Sequence, residues 1–171
     1  MQNNGNPLVV EAMKIRIFCI GKIKENYLKE GIAEYLKRLS PYAKVEIVEV
    51  SDEPIKENPN KSDIDNAINK EGKKIQKLLK NTDYLISLDL GQKEFKSESF
   101  AEFLMKNVEI SGSNLSFVIG GSYGLSEELK NRANSSFSLS KMTFTHQMTR
   151  LILLEQIYRA FKILNNEVYH K

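Results

Sequence analysis

Two side chains in the last quarter of the sequence, His146 and Arg150, have the types and spacing that suit chemistry. An imidazole exchanges a proton near neutral pH, and a guanidinium keeps its positive charge. At 100° per residue along a helix, the two lie about 40° apart and share a face. We therefore predict that His146 and Arg150 are catalytic residues.

Three further reactive side chains are assigned to structure instead. Glu155 and Arg159 are four residues apart on the same helical pattern, which predicts an ion pair along the helix. This pair faces about 140° away from Arg150, so it meets different surroundings. Cys19 lies in the middle of an apolar strand pattern and is predicted to be a buried core residue.

Three segments should meet where ligands bind in α/β sheets, beyond the carboxyl ends of the strands. They are residues 88–91, 120–124 and 140–146. Gly120 and Gly121 lack side chains, so their backbone N–H groups can approach a ligand closely, although a tight strand-to-helix turn explains the same glycines. The run 120–124 matches neither the dinucleotide fingerprint nor the phosphate loop.

Residues 140–150 mix apolar side chains with hydrogen-bonding groups just before a helix. Such a segment offers an apolar slot with backbone groups, which suits an adenine ring. A hydrophobic staple with an N-cap, in which Phe144 packs on the helix, explains the pattern equally well.

Strand and helix patterns alternate along the chain, which predicts a three-layer α/β domain with a mainly parallel sheet. The predicted strands are residues 15–20, 44–50, 84–88, 115–119 and 137–140. Helices are predicted at 25–39, after a cap at Ser62 or Asp63, around Phe100, Phe103 and Leu104, after a cap at Ser126, and at 147–164.

Composition limits the class of protein. With 171 residues we expect one domain, residues 13–171, after an N-terminal extension, residues 1–12, outside the fold. One cysteine and two histidines cannot supply a usual zinc site, so no metal is expected. No membrane span or secretory signal is evident, so we expect a cytoplasmic protein.

Charge is distributed unevenly. Residues 13–44 carry eight Lys or Arg against three Glu, whereas residues 45–65 carry seven acids against two lysines. The basic part could contact phosphates, but two solvated helix faces of opposite sign account for the same distribution.

Four ordered motifs resemble one known family. The opening MKIRI with Gly21 and Lys22, the run FVIGGSYGL (117–125), LSKMTFTHQMTR (139–150) and EQIYRA (155–160) are similar to the ribosomal RNA large-subunit methyltransferase H family of the SPOUT superfamily. The closing YHK also looks like that family's terminus. The resemblance covers essentially residues 13–171.

The resemblance implies a SPOUT fold with a C-terminal trefoil knot, and a homodimer. It implies S-adenosylmethionine-dependent methylation, without a metal, of N3 of a pseudouridine in 23S ribosomal RNA on the assembled ribosome. The implied cofactor pocket contains Leu88, Gly120, Leu139, Ser140, Lys141, Met142, Thr143 and Phe144.

An imide N–H must lose its proton before it attacks a methyl group. On the implied reaction, His146 would assist this deprotonation or orient the base, and Arg150 would steady negative charge or a phosphate. Tyr169 and His170 could close over the substrate, from the same subunit or its partner. The family commonly has proline where this chain has Thr145, which predicts a slightly looser pocket.

Two other functions remain open at this stage. One is a ribosome-associated, RNA-binding module that keeps the fold without catalysis. The second is a nicotinamide or flavin oxidoreductase on a doubly wound sheet, which the missing glycine fingerprint disfavours.

Overall fold

A computed structural model describes residues 13–112 and 114–169, which are built around one parallel sheet. Its strands are β1 (Lys14–Ile20), β2 (Lys44–Val50), β3 (Tyr84–Leu88), β4 (Asn114–Ile119) and β5 (Ser135–Phe137). They lie in the order β2-β1-β4-β3-β5, and every pair of neighbours is parallel. All five carboxyl ends therefore lie at one edge of the sheet.

Helices cover both faces of the sheet. They are α1 (Asn26–Leu39), α2 (Lys61–Leu78), α3 (Ser97–Ser111), α4 (Glu127–Arg132) and α5 (His146–Leu164). Helices α1, α3 and α5 pack together on one face, and α2 packs with α4 on the other. The predicted α/β class, with three layers and a mainly parallel sheet, is confirmed; the trefoil knot stays a prediction from the resemblance.

The three interior strands, β1, β4 and β3, supply side chains to both layers of core. In β1, Ile17 and Cys19 belong to the core under α1, α3 and α5, while Phe18 and Ile20 belong to the core under α2 and α4. Strands that are buried on both faces read as continuous apolar runs, which is the pattern of β1 and β4. The prediction that Cys19 is buried is confirmed.

Two predicted elements need correction. The fifth strand runs from Ser135 to Phe137 instead of from residue 137 to residue 140, because its register with β3 ends at the Leu88–Phe137 pair. Helix α2 is capped by Asn60, not by Ser62 or Asp63. The Asn60 side chain accepts from the Asp63 backbone N–H, while the Asp63 carboxylate accepts from the Asn60 N–H, as in a capping box.

Across the described ranges, none of the helices combines the length and the apolar character that a membrane span requires.

Candidate active site

A cavity of about 970 Å³ opens at the carboxyl edge of the sheet. It lies between the ends of β3 and β4, the start of α1, and the segment that connects β5 to α5. Its volume is in the range of pockets that hold small-molecule ligands.

Most of the predicted cofactor residues line this cavity. They are Leu88, Gly120, Leu139, Ser140, Met142, Thr143 and Phe144. Lys141 belongs to the same segment but is exposed and outside the lining. A local turn shapes the segment: the Ser138 hydroxyl donates to the Ser140 carbonyl oxygen, and the Ser140 hydroxyl oxygen accepts from the Met142 N–H.

The loop after β4 folds back on its own backbone. A Cβ on Gly120 would lie 2.5 Å from the Gly124 carbonyl carbon, and Gly124 has a φ of +89°. The Gly124 N–H donates to the Gly121 carbonyl oxygen over 3.1 Å. The tight-turn interpretation therefore explains two of the glycines, and the same loop lines the cavity.

His146 is the first residue of α5 and faces the cavity. Thr145 caps this helix, since its hydroxyl oxygen accepts from the Met148 N–H. Burial lowers the pKa of the imidazole below its ordinary value, and the neighbouring Arg150 cation lowers it further, against an opposing effect of Asp52. At neutral pH the imidazole is therefore largely neutral and able to accept a proton.

Arg150 lies beneath the cavity rather than in its wall. Its side chain is 1% exposed and pairs with the Glu49 carboxylate over 2.6 Å. It also donates to the carbonyl oxygens of Gly21, at 2.7 Å, and Ile20, at 3.3 Å. His146 and Arg150 both lie next to Gly21, as expected for residues on one face of a helix, but only His146 lines the cavity. Arg150 is buried and already has partners, and the assignment of both residues as catalytic stays a prediction.

The sequence model of a family described as predicted SPOUT methyltransferase matches residues 13–170. The chain belongs to the SPOUT methyltransferase family.

The chain aligns with individual relatives over nearly their whole length. A protein from Carboxydothermus hydrogenoformans is 51% identical over 159 residues, which cover 93% of this chain and 100% of the relative. Relatives from Desulforamulus reducens and Halothermothrix orenii are 51% and 48% identical, over 93% of this chain and 99% and 100% of theirs. All three are named ribosomal RNA large subunit methyltransferase H.

In this SPOUT methyltransferase the predicted ion pair on α5 is confirmed. Arg159 contacts Glu155 over 2.6 Å. Tyr169 joins the pair: its hydroxyl donates to Glu155 over 2.6 Å, and its ring lies 4.0 Å from the Arg159 guanidinium carbon. Tyr169 therefore packs against α5. His170, which is predicted together with Tyr169 to close over the substrate, lies outside the described residues.

Tyr123 in the glycine-rich loop is exposed at the cavity, as expected for the segment 120–124. Sequence reasoning missed other lining residues of this methyltransferase, and one of them, Tyr27 in the first turn of α1, is also exposed. Lys130 on α4 pairs with Asp89 over 3.5 Å. Tyr27 could have been found from the rule that strand-end connections line the site, whereas nothing in the sequence marks Lys130.

Proposed function

We propose that this chain transfers a methyl group from S-adenosylmethionine to N3 of a pseudouridine in 23S ribosomal RNA, acting on the assembled ribosome. One observation carries the proposal: His146 faces the same cavity as Gly120 and the apolar side chains of Leu139, Met142 and Phe144. The names of the full-length relatives support ribosomal RNA as the substrate.

The cavity fits the methyl donor. Leu88, Leu139 and Phe144 can pack against an adenine ring, and the backbone near Gly120 and Ser140 can meet its polar edge. When bound, S-adenosylmethionine supplies a methyl group on a positively charged sulfur, which needs no metal to react. Among residues 13–112 and 114–169, no cluster of three or more His, Cys, Asp or Glu side chains could hold a metal ion.

His146 serves as the proton acceptor in this proposal. The N3–H bond of the substrate base breaks as an N–H bond forms on the imidazole, and the electron pair stays on N3. The lowered pKa of His146 keeps the imidazole neutral and ready for this step at neutral pH. Arg150 contributes by position, since it ties the first turns of α5 to Gly21 at the end of β1.

We further infer a cytoplasmic homodimer, since the substrate is the ribosome and the family resemblance implies a pair of subunits. Sedimentation of the purified protein should therefore give twice the mass of 19.6 kDa.

The proposal is tested by methyl transfer from labelled S-adenosylmethionine to intact ribosomes and to free 23S RNA, with mapping of the labelled base. We expect label at one pseudouridine, mainly with intact ribosomes. Donor binding by calorimetry without label on either RNA would contradict the proposed substrate, whereas the absence of donor binding would favour the non-catalytic module. Label on a uridine would contradict the assignment of the base.

A further inference from the structure

Asp52 and His146 both lie next to a glycine, Gly21, at the end of β1. Gly21 has a φ of +83°, and a Cβ placed on it would lie 3.9 Å from both the Asp52 carboxyl carbon and Nε2 of His146. Both side chains therefore border the space that a residue-21 side chain would occupy. Glycine is favoured there by the backbone conformation.

The residues on either side of Asp52 are held by α2. Lys74 donates to the carbonyl and the hydroxyl oxygen of Ser51, both at 2.9 Å, and pairs with Glu53 over 2.7 Å. The Glu53 N–H donates to the buried Glu71 carboxylate over 3.1 Å. This segment is thus fixed on both sides of Asp52, which keeps the carboxylate near Gly21.

The Asp52 carboxylate is available for an interaction with His146. Within the described part of the chain, Asp52 makes no hydrogen bond or ion pair, whereas the nearby Glu49 pairs with Arg150 and Glu53 with Lys74. Asp52 is therefore the acidic side chain that can respond to a charge appearing on His146.

We propose that Asp52 is a positioning residue for His146: its carboxylate faces the imidazole across Gly21 and stabilises the imidazolium that forms when His146 takes the substrate proton. The catalytic role of Asp52 in this inference rests on the proposed function. In the proton transfer, the N3–H bond breaks and an imidazole N–H bond forms, so positive charge develops on the ring that Asp52 faces.

The charges around His146 determine the direction in which its pKa changes when the Asp52 charge is removed. Arg150 on α5 and Lys24 after β1 both disfavour a charged imidazole, and Asp52 after β2 favours it. Glu49 offsets part of the Arg150 charge through their ion pair. Removing the Asp52 charge leaves the two cations less opposed, so the pKa of His146 must fall.

The imidazole titration measured by NMR tests this directly. His146 and His170 are the histidines of the chain, so a His170→Gln background leaves one signal to follow. We expect Asp52→Asn to lower the pKa of His146 by about half a unit, with a smaller shift at high salt. Asp65→Asn removes the same charge from an exposed position on α2 and should leave the pKa unchanged.

An unchanged or raised His146 pKa in Asp52→Asn would overturn the inference. Asp52→Glu, which keeps the charge, should restore part of the wild-type value. The acid limb of the pH–rate profile should move to lower pH in Asp52→Asn, which a merely structural role would not produce. If the NMR titration shifts but the wild-type protein transfers no methyl group, the proposed function is contradicted and the effect of Asp52 on His146 stands. If the wild-type protein transfers the methyl group but the titration does not shift, the proposed function stands and the role of Asp52 is contradicted.

Discussion

The Arg150 guanidinium donates a hydrogen bond of 2.7 Å to the carbonyl oxygen of Gly21. This contact joins the second turn of α5 to the end of β1, and the same guanidinium reaches Glu49 on β2. Two strand ends and the helix that carries His146 are thereby fixed together. Arg150 therefore contributes to the site by holding α5 against the ends of β1 and β2.

Replacing this cation should be costly. Arg150→Met would leave the carbonyl oxygens of Ile20 and Gly21 without their donor, and we expect a loss of about 2–4 kcal/mol in the free energy of unfolding. Urea denaturation at a fixed protein concentration measures it. Arg38→Met removes an arginine from an exposed helical ion pair with Glu34 and should leave the midpoint unchanged. Equal midpoint shifts in both variants would contradict the structural role of Arg150.

The loop after β4 should not tolerate a side chain at residue 120. Gly120→Ala places a Cβ against the Gly124 backbone, so the loop must open and the cavity must change shape. We expect at least about tenfold weaker S-adenosylmethionine binding by calorimetry, which corresponds to about 1.4 kcal/mol. Gly112→Ala, at the end of α3, strains a left-handed residue outside the cavity lining and serves as the control; its donor affinity should stay within about twofold of wild type.

Thr145 is the N-cap of α5. Because its hydroxyl oxygen caps α5, Thr145→Ala should lower the free energy of unfolding by about 1 kcal/mol. Thr145→Ser keeps the oxygen and should unfold close to wild type. Equal stability of the Ala and Ser variants in thermal denaturation would show that the cap contributes nothing.

Much of this arrangement follows from sequence patterns. The alternation of apolar runs with helical periods predicts a parallel sheet, and parallel strands bring residues 88, 120 and 140–146 to one edge. Periodicity gives the angle between His146 and Arg150 around a helix. It does not give their depth, which depends on how α5 packs over β1.

Other contacts depend on long-range packing that one sequence does not encode locally. Asp52 and His146 both lie near Gly21 only because β2 lies parallel beside β1. The cap at Asn60 was missed because Ser62 and Asp63 are equally good capping types. The early end of the fifth strand depends on its register with β3.

The pH dependence of methyl transfer should report His146. Burial and Arg150 lower the pKa of this imidazole, so the neutral, proton-accepting form persists to below the ordinary histidine value of about 6.5. We expect the single-turnover rate to be lost only as the pH falls through that lowered pKa. A rate that already falls at a pH well above 6.5 would be inconsistent with a neutral His146 as the acceptor.

The central claim is that methyl transfer uses the imidazole of His146 in the cavity at the strand ends. The most direct measurement is single-turnover transfer of a labelled methyl group to 23S RNA in ribosomes, with wild type and His146→Gln at saturating donor. We predict a rate lower by about 10²- to 10⁴-fold, with donor affinity within about twofold of wild type. Transfer by His146→Gln at the wild-type rate would contradict the account.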